Sequence, residues 1–386
     1  EDEIKTFYNS EEHISLLESS KKKQELNLYL KFEKILEMIN NSKFPLFLIG
    51  NGIRLSNSVE NLKLILQKLN IPFVTTWLAS DIFSYDHKQN IGRVGLAGQR
   101  GANIAIQNSD LLFILGTHLP IPVTGSNVSL FSRDSKKIIV NIDEDELNLK
   151  NDQLDLCFNL DLKEFTDQFT KKFEFEKLSF NIDQWLDHCE KLKIYNYQNT
   201  LDLVETNNDE KINQYEFVNY FSENIGENDS LVVDGGGTNV YISYQGFKNK
   251  KNQRQILSTG LCSMGSGIPE AIGVVNANKK GSVYCFVGDG SFYLNVQELK
   301  TLTENNIHLK IVVFNNGGYL SIKETQREFL DSNFIGVSNS DPVDMKLLVE
   351  AFGLYYYSIK KSSELEGNFE KFINQKKSSL LEVFVD

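Results

Sequence analysis

Short apolar runs alternate with longer amphipathic stretches along this chain of 386 residues, and this alternation restricts its fold more than any other feature. The runs are rich in β-branched or aromatic residues, which is typical of buried parallel strands. They lie at residues 44–50, 71–76, 110–116, 136–143, 231–236, 255–260, 282–289, 309–316 and 379–385. Because strands that alternate with helices form parallel sheets joined by right-handed crossovers, we expect an α/β fold with two doubly wound, Rossmann-like domains.

Helical spacing between the first two runs supports this fold class. There, Val59, Leu62, Leu66 and Leu69 form the apolar stripe of a helix packed on a sheet. The polar stretch from about residue 151 to 210 has no sustained strand pattern, and we interpret it as a helical linker. The expected organisation is a linker or tail at 1–27, a middle α/β domain at 28–165, a helical linker at 166–210 and a second α/β domain at 211–386.

The charge balance and the hydropathy exclude several classes of function. The chain has 40 Lys and Arg residues against 52 Asp and Glu, which gives a formal net charge of −12. Nucleic acids and anionic membranes attract positive fields, so we expect neither as a partner. The longest apolar runs, such as 44–49, are far shorter than the ~18 residues that cross a bilayer. The acidic start lacks the apolar segment of a secretory signal, so the cytoplasm is the expected compartment.

The strand, helix and strand predicted within 287–319 place two polar side chains at one sheet edge. Asp289 follows the first strand in a Gly-Asp-Gly turn, and Asn316 ends the second strand 27 positions later. That spacing suits one crossover, so both should lie at the carboxyl ends of neighbouring strands, where ligands bind in open α/β sheets. Carboxylate, amide and carbonyl oxygens suit Mg²⁺, while Gly290 and Ser291 open a helix whose N–H groups favour a phosphate. The residues alone predict a site for Mg²⁺ and a diphosphate.

A structural interpretation of the same residues stays open. Gly-Asp-Gly also forms tight turns with Ser291 as a helix N-cap, and adjacent Asn residues are common in turns. Either fragment alone favours the turn, whereas the two at crossover spacing favour the ligand site. A second glycine pair, Gly50 and Gly52, follows the first strand like a dinucleotide fingerprint, but Leu55 stands where the third Gly belongs.

The Gly-Asp-Gly and Asn-Asn pair resembles the cofactor motif of thiamine diphosphate enzymes, and the chain is most similar to the acetolactate synthase catalytic subunits of that family. The similarity extends over 95–119, 123–131, 296–302, 315–326 and 344–354. It implies a middle domain followed by a thiamine diphosphate-binding domain. The resemblance assigns Mg²⁺ to the side chains of Asp289 and Asn316 and to the backbone carbonyl of Gly318. The residues it assigns to the cofactor are Gly237, Thr238, Asn239, Cys262, Met264, Gly288, Asp289, Gly290, Ser291, Asn316, Gly318 and Tyr319.

Two of these residues are the candidate catalytic positions. Met264 matches the bulky apolar residue that holds the two rings of the cofactor in a bent form. Cys262 falls where the family usually has Gly, whose carbonyl accepts a hydrogen bond from the aminopyrimidine. The family also uses a Glu from the N-terminal domain of a partner subunit to activate the cofactor, and that domain would precede Glu1. The resemblance therefore implies a homo-oligomer, dimer or tetramer, and an isolated chain that is nearly inactive.

Two departures from the family bear on cofactor and substrate. His118, Pro120 and Pro122 stand where flavin-binding members usually carry Arg, Asp and Arg. FAD thus remains an alternative that these residues disfavour. Thr325 stands where acetolactate synthases have a Trp that selects the second 2-oxo acid, so the acceptor pocket is expected to be wider.

The resemblance implies an enzyme that depends on thiamine diphosphate and Mg²⁺, decarboxylates a 2-oxo acid such as pyruvate and transfers the aldehyde unit to an acceptor carbonyl. It thereby points to branched-chain amino acid biosynthesis. Three alternatives stay open: a simple 2-oxo acid decarboxylase, a nucleotide-binding module without catalysis, and a split subunit completed by a partner chain.

Overall fold

The computed structural model describes residues 11–149, 153–196, 212–257, 259–278, 280–338 and 343–385. Within them the chain forms two six-stranded sheets whose paired strands are parallel, with helices between successive strands. The expected α/β class with two doubly wound parallel sheets is confirmed.

The first sheet has the strand order β3-β2-β1-β4-β5-β6. Its strands are β1 (Pro45–Ile49), β2 (Phe73–Thr75), β3 (Asn90–Arg93), β4 (Leu111–Leu115), β5 (Lys136–Asn141) and β6 (Leu156–Asn159). β1 and β4 are buried along their whole length, as continuous apolar strands must be when helices cover both sheet faces.

The second sheet has the order β11-β12-β10-β9-β7-β8. Its strands are β7 (Ser230–Val233), β8 (Arg254–Leu257), β9 (Val283–Gly288), β10 (Lys310–Asn315), β11 (Tyr355–Ile359) and β12 (Ser379–Phe384). On one face, Phe286 and Phe314 pack edge to face with 5.1 Å between ring centroids, and Phe221 packs on Phe286 at 4.6 Å. This aromatic packing holds β9 and β10 side by side.

Helices connect the strands in both sheets. They are α1 (Glu11–Asn41), α2 (Gly52–Leu55), α3 (Val59–Leu69), α4 (Arg100–Gln107), α5 (Ile121–Thr124), α6 (Glu144–Leu149), α7 (Leu162–Lys172), α8 (Asp183–Leu192), α9 (Gln214–Asn224), α10 (Gly237–Gly246), α11 (Gly267–Ala277), α12 (Asp289–Phe292), α13 (Glu298–Glu304), α14 (Leu320–Phe329), α15 (Met345–Ala351) and α16 (Leu365–Asn374). α3 buries Leu62, Leu66 and Leu69, as their spacing predicts. Among the described residues, none of these helices combines the length and the apolar character needed to span a bilayer.

The chain divides into two compact units that interleave along the sequence. The first comprises residues 1–72, 106–118 and 129–188, and the second comprises 73–105, 119–128 and 189–386. All residues of the candidate site described below belong to the second unit.

Three strands escape the sequence patterns, and each lies at the edge of a sheet: β3, β6 and β11. β6 and β11 are partly exposed, and β3 contains the buried polar residues Asn90 and Arg93, so none of the three forms a continuous apolar run. β6 shows that the interpretation of 151–210 as a purely helical linker is wrong at its beginning. Residues 150–152 and 197–211 lie outside the described part of the chain. The stretch 1–27, expected to be a linker or tail, includes the start of α1 at Glu11.

Candidate functional site

Two neighbouring strands of the second sheet carry the predicted polar residues to one edge. β9 ends at Gly288, which is paired with Phe314 on β10, and α12 begins at the next residue, Asp289. β10 ends at Asn315, so Asn316 is the first residue beyond it. The topology thus brings Asp289 and Asn316 to the carboxyl ends of adjacent parallel strands.

Asp289 is buried, with only 2% of its surface exposed. Its Oδ1 accepts a hydrogen bond from the Gly290 N–H at 2.9 Å, and its Oδ2 is buried with no hydrogen-bond partner among the described residues. Burial raises the pKa of the Asp289 carboxyl to about 6, although the nearby backbone amides of Gly290, Gly318 and Gly317 oppose this shift. At neutral pH this carboxylate is therefore charged in a place that favours a nearby cation.

Two further buried polar atoms of the same pocket have no hydrogen-bond partner in the described part of the chain. They are the acceptor Oδ1 of Asn316 and the donor Nδ2 of Asn239. Because a buried polar group without a partner costs on the order of 1–3 kcal/mol, such atoms indicate a ligand. The two oxygens of Asp289 and Asn316 suit a hard cation, and the amide donor of Asn239 suits an anion.

One pocket contains these residues together with small and apolar neighbours. Its lining consists of Gly236, Gly237, Thr238, Asn239, Met264, Gly288, Asp289, Gly290, Ser291, Phe314, Asn316, Gly318, Tyr319, Leu320, Ser321 and Ile322. The structure thus gathers every predicted site residue except Cys262. It adds Gly236, Phe314, Leu320, Ser321 and Ile322, which carry no titratable group and gave no chemical signal in the sequence.

Asp234 holds the segment around Met264 next to the loop after β7. It is fully buried, its Oδ1 accepts the Gly267 N–H at 2.7 Å, and its Oδ2 accepts the Gly265 N–H at 3.3 Å. Gly236 lies two residues further on, and a Cβ built on it would be 3.0 Å from Ser291 Oγ and 3.4 Å from Met264 Cγ. The loops of β7 and β9 therefore meet across a glycine at the pocket wall. Asp234 gives no signal in the sequence because its partners are distant backbone amides.

Cys262 lies outside the pocket lining. Its side chain is exposed and its backbone has φ +47, in the left-handed region. Its backbone carbonyl carbon would be 2.4 Å from a Cβ on Gly235, so the Cys262 main chain, rather than its thiol, lies close to the loop after β7. The main-chain role that the resemblance implies for Cys262 stays a prediction.

The simpler turn interpretation does not describe Ser291. Helix α12 starts at Asp289 with Gly288 as its N-cap residue and without a side-chain cap, and Ser291 is a buried residue inside the helix. The glycine pair after β1 also has a structural explanation, because a Cβ on Gly50 would be 2.2 Å from the carbonyl oxygen of Gly116. Those glycines allow the ends of β1 and β4 to approach each other.

The ring of Tyr319 leaves no room for a side chain at position 290. A Cβ at position 290 would lie 2.5 Å from Tyr319 Cε1, so we expect Gly290→Ala to displace the ring and to lower the free energy of unfolding by about 1–3 kcal/mol. Urea denaturation measures the loss. Tyr319→Ala supplies the control. In a chain that already carries Tyr319→Ala, the substitution Gly290→Ala should cause only a small further loss of stability. Strictly additive effects would show that the ring does not cause the cost.

Comparison with known proteins identifies the family. Residues 234–383 match the family described as thiamine pyrophosphate enzyme, C-terminal TPP binding domain, and residues 32–169 match thiamine pyrophosphate enzyme, central domain. The chain belongs to the thiamine pyrophosphate enzyme family. Thiamine pyrophosphate is another name for thiamine diphosphate, so the expected resemblance is confirmed. The C-terminal match includes every residue that lines the pocket.

Individual relatives carry acetolactate synthase names. The chain is 27% identical over 366 residues to the probable acetolactate synthase large subunit of Methanococcus aeolicus, covering 92% of this chain and 60% of that protein. It is 25% identical over 360 residues to acetolactate synthase isozyme 2 large subunit of Escherichia coli K12, covering 92% and 62%. It is 27% identical over 355 residues to the acetolactate synthase large subunit of Lactococcus lactis, covering 92% of this chain and 59% of that protein. The chain thus spans about three fifths of the length of the curated relatives it matches.

Proposed function

We propose that this chain binds thiamine diphosphate through Mg²⁺ and forms the cofactor-binding part of a 2-oxo acid decarboxylase that transfers the aldehyde unit to an acceptor carbonyl, as an acetolactate synthase does. The observation that carries the proposal is the set of buried atoms without partners: two oxygens and one amide donor in a single pocket. A cation alone would satisfy Asp289 and Asn316 and leave the Asn239 donor without an acceptor. A metal-bound diphosphate satisfies all three.

Each side of the pocket has a distinct part in this proposal. The Asp289 and Asn316 side chains and the Gly318 carbonyl would hold Mg²⁺, an oxygen set that this ion prefers. Within the described residues no cluster of three or more His, Cys, Asp or Glu side chains could hold a metal, so a site with few protein ligands that shares diphosphate oxygens fits this chain. Asn239 Nδ2 would donate to the diphosphate. Ser291, which is 3% exposed, would contribute its hydroxyl from the β9 side.

Bound thiamine diphosphate supplies a carbon nucleophile and an electron sink for the loss of carbon dioxide from a 2-oxo acid. The residues of this chain bind and orient it. The apolar side chains of Phe314, Leu320 and Met264 line the pocket and would limit the access of water once the cofactor is bound, which would strengthen the contact of Asp289 with a cation. Met264 would support the bent form of the cofactor.

A partner subunit is part of the proposal. Ile322, which lines the pocket, is 46% exposed, and Leu261, in the segment that leads to Met264, is 92% exposed. Exposed apolar residues beside a ligand pocket are typical of a surface that a second chain covers. A homo-oligomer of dimeric or tetrameric form, with an activating Glu from the partner, agrees with this exposure.

FAD is not a proposed cofactor, because Pro120 and Pro122 offer it no charged group.

The reaction is tested by measuring carbon dioxide release from pyruvate. The protein isolated with its natural partners should release carbon dioxide only when thiamine diphosphate and Mg²⁺ are both supplied, and the Asp289→Asn variant should release none. The 386-residue chain alone should be nearly inactive. NMR analysis of the product separates transfer to an acceptor from release of a free aldehyde. Full activity of the isolated chain, or release that is independent of the cofactor, would contradict the proposal.

A further inference from the structure

A buried acidic residue lies in the second sheet outside the pocket lining. Glu382 is on β12 and only 4% of its surface is exposed. Its Oε1 accepts a hydrogen bond from Asn315 Nδ2 at 2.6 Å, and its Oε2 accepts one from the Tyr356 hydroxyl at 2.5 Å. β12 lies between β10, which carries Asn315, and β11, which carries Tyr356. Acidic residues are rarely buried in a sheet, because desolvation costs more than such hydrogen bonds return, so a role beyond stability is indicated.

The hydrogen bonds continue from Glu382 to the candidate metal ligands. The Nδ2 of Asn315 donates to Glu382, and the Oδ1 of Asn315 accepts a hydrogen bond from the Gly317 N–H at 3.1 Å. The amides of Gly317 and Gly318 lie close enough to the Asp289 carboxylate to oppose the rise of its pKa. The turn after β10 thus lies beside Asp289 on one side and is tied, through Asn315, to Glu382 on the other.

We propose that Glu382 is a positioning residue for the metal site: it fixes the amide orientation of Asn315 and thereby the turn that presents Asn316 and Gly318 to the cation. This inference rests on the proposed binding of Mg²⁺ and thiamine diphosphate.

The orientation of the Asn315 amide depends on its partner. The nitrogen and oxygen ends of an Asn amide are almost equal in size, so only hydrogen bonds decide which end faces which neighbour. With an acceptor at Glu382, the Nδ2 of Asn315 faces β12 and its Oδ1 faces the Gly317 N–H. Without that acceptor, the Nδ2 of Asn315 loses its partner and the amide is held only by the bond from the Gly317 N–H to its Oδ1. The side chain is then less firmly fixed, and the turn that carries Asn316 loses its anchor on β12.

Tyr356 makes Gln a conservative replacement at position 382. Burial and the hydrogen bond to Glu382 raise the pKa of the Tyr356 phenol, so it remains protonated and donates. A hydroxyl both donates and accepts. In Glu382→Gln the amide oxygen can accept from Asn315, while the Tyr356 oxygen accepts from the new amide nitrogen. In Glu382→Met the side chain has similar length and no oxygen, so the contact with Asn315 is lost.

The matched control lies at the other end of β10. Lys310 is 8% exposed, and its Nζ donates to the Phe372 carbonyl at 2.7 Å and to Ser379 Oγ at 3.3 Å. Lys310→Met removes buried hydrogen bonds from the same strand as Asn315, but at the amino end, away from the pocket. It therefore reports the effect of destabilising β10 without disturbing the turn.

The experiment measures the Mg²⁺ concentration that gives half-maximal thiamine diphosphate binding, together with the Tm of the cofactor-free protein. Glu382→Met should raise that concentration by roughly 10- to 100-fold, the range found for residues that orient metal ligands. In Glu382→Gln the Mg²⁺ concentration for half-maximal binding should stay near the unsubstituted value. Lys310→Met should lower Tm and leave that Mg²⁺ concentration unchanged.

An unchanged Mg²⁺ requirement in Glu382→Met would overturn the inference, and so would equal losses in the Gln and Met variants. If the unsubstituted chain itself shows no Mg²⁺-dependent binding, the proposed function fails and the inference fails with it. The binding measured for the unsubstituted chain therefore distinguishes failure of the proposed function from failure of the positioning role of Glu382.

Discussion

We expect Asp289→Asn to abolish the Mg²⁺-dependent binding of thiamine diphosphate to this chain. The substitution keeps the size of the side chain and removes the charge that a divalent cation requires in a buried site. Substitutions of residues that merely orient metal ligands cost roughly 10- to 100-fold in affinity, so loss of the ligand itself should cost at least about 100-fold. Isothermal titration calorimetry with Mg²⁺ present measures the affinity.

Asp229→Asn is the matched control for this experiment. Asp229 is also buried, at 9% exposure, and it accepts the Gly226 N–H at 2.7 Å and the Ser282 N–H at 2.8 Å. It precedes β7 and therefore lies at the amino end of the sheet, opposite the pocket. Its substitution should lower stability and leave the affinity for the cofactor unchanged. Equal affinities of the Asp289→Asn variant and the unsubstituted chain would refute the metal assignment.

The same substitution should stabilise the protein without its cofactor. Burial raises the pKa of Asp289 to about 6 in the folded state, whereas an unfolded Asp titrates near 3.9. Between these values the folded state binds more protons than the unfolded state, so the free energy of unfolding falls as pH rises from about 4 to about 6. Above pH 6 the loss is complete and amounts to about 3 kcal/mol. Asn at this position carries no charge and avoids the loss.

Thermal unfolding in the absence of Mg²⁺ tests this prediction. At about pH 7 the Asp289→Asn variant should have the higher Tm, and near pH 4 the two proteins should differ little. Asp289 would then be a residue that costs stability in the empty protein and is needed for binding, which is common for functional residues. A variant that is less stable at pH 7 would show that the carboxylate is compensated by other groups.

Strands in the middle of the two sheets are predictable from the sequence because burial on both faces leaves a continuous apolar run. β1, β4, β9 and β10 are of this kind, and the predicted runs contain all of them. The edge strand β6 is half exposed, and its residues fall within the stretch whose pattern predicts a helical linker. Its assignment depends on pairing with β5, a contact that the local pattern of four residues does not reveal.

The candidate site shows the same division between local and distant signals. Asp289 and Asn316 are recognisable from the sequence because each directly follows an apolar strand pattern and their spacing fits one crossover. Asp234 and Glu382 act through distant partners, the amides of Gly265 and Gly267 and the side chain of Asn315, and their local sequence is that of an ordinary strand end or strand. Long-range hydrogen bonds are visible only when the strands are placed in order.

We propose that a Mg²⁺-bound diphosphate satisfies the buried oxygens of Asp289 and Asn316 and the amide of Asn239. Calorimetric titration of thiamine diphosphate into the unsubstituted chain, once with Mg²⁺ and once with a chelator, tests this proposal. We expect saturable binding with Mg²⁺ that is lost with the chelator. Equal binding under both conditions, or none under either, would contradict it.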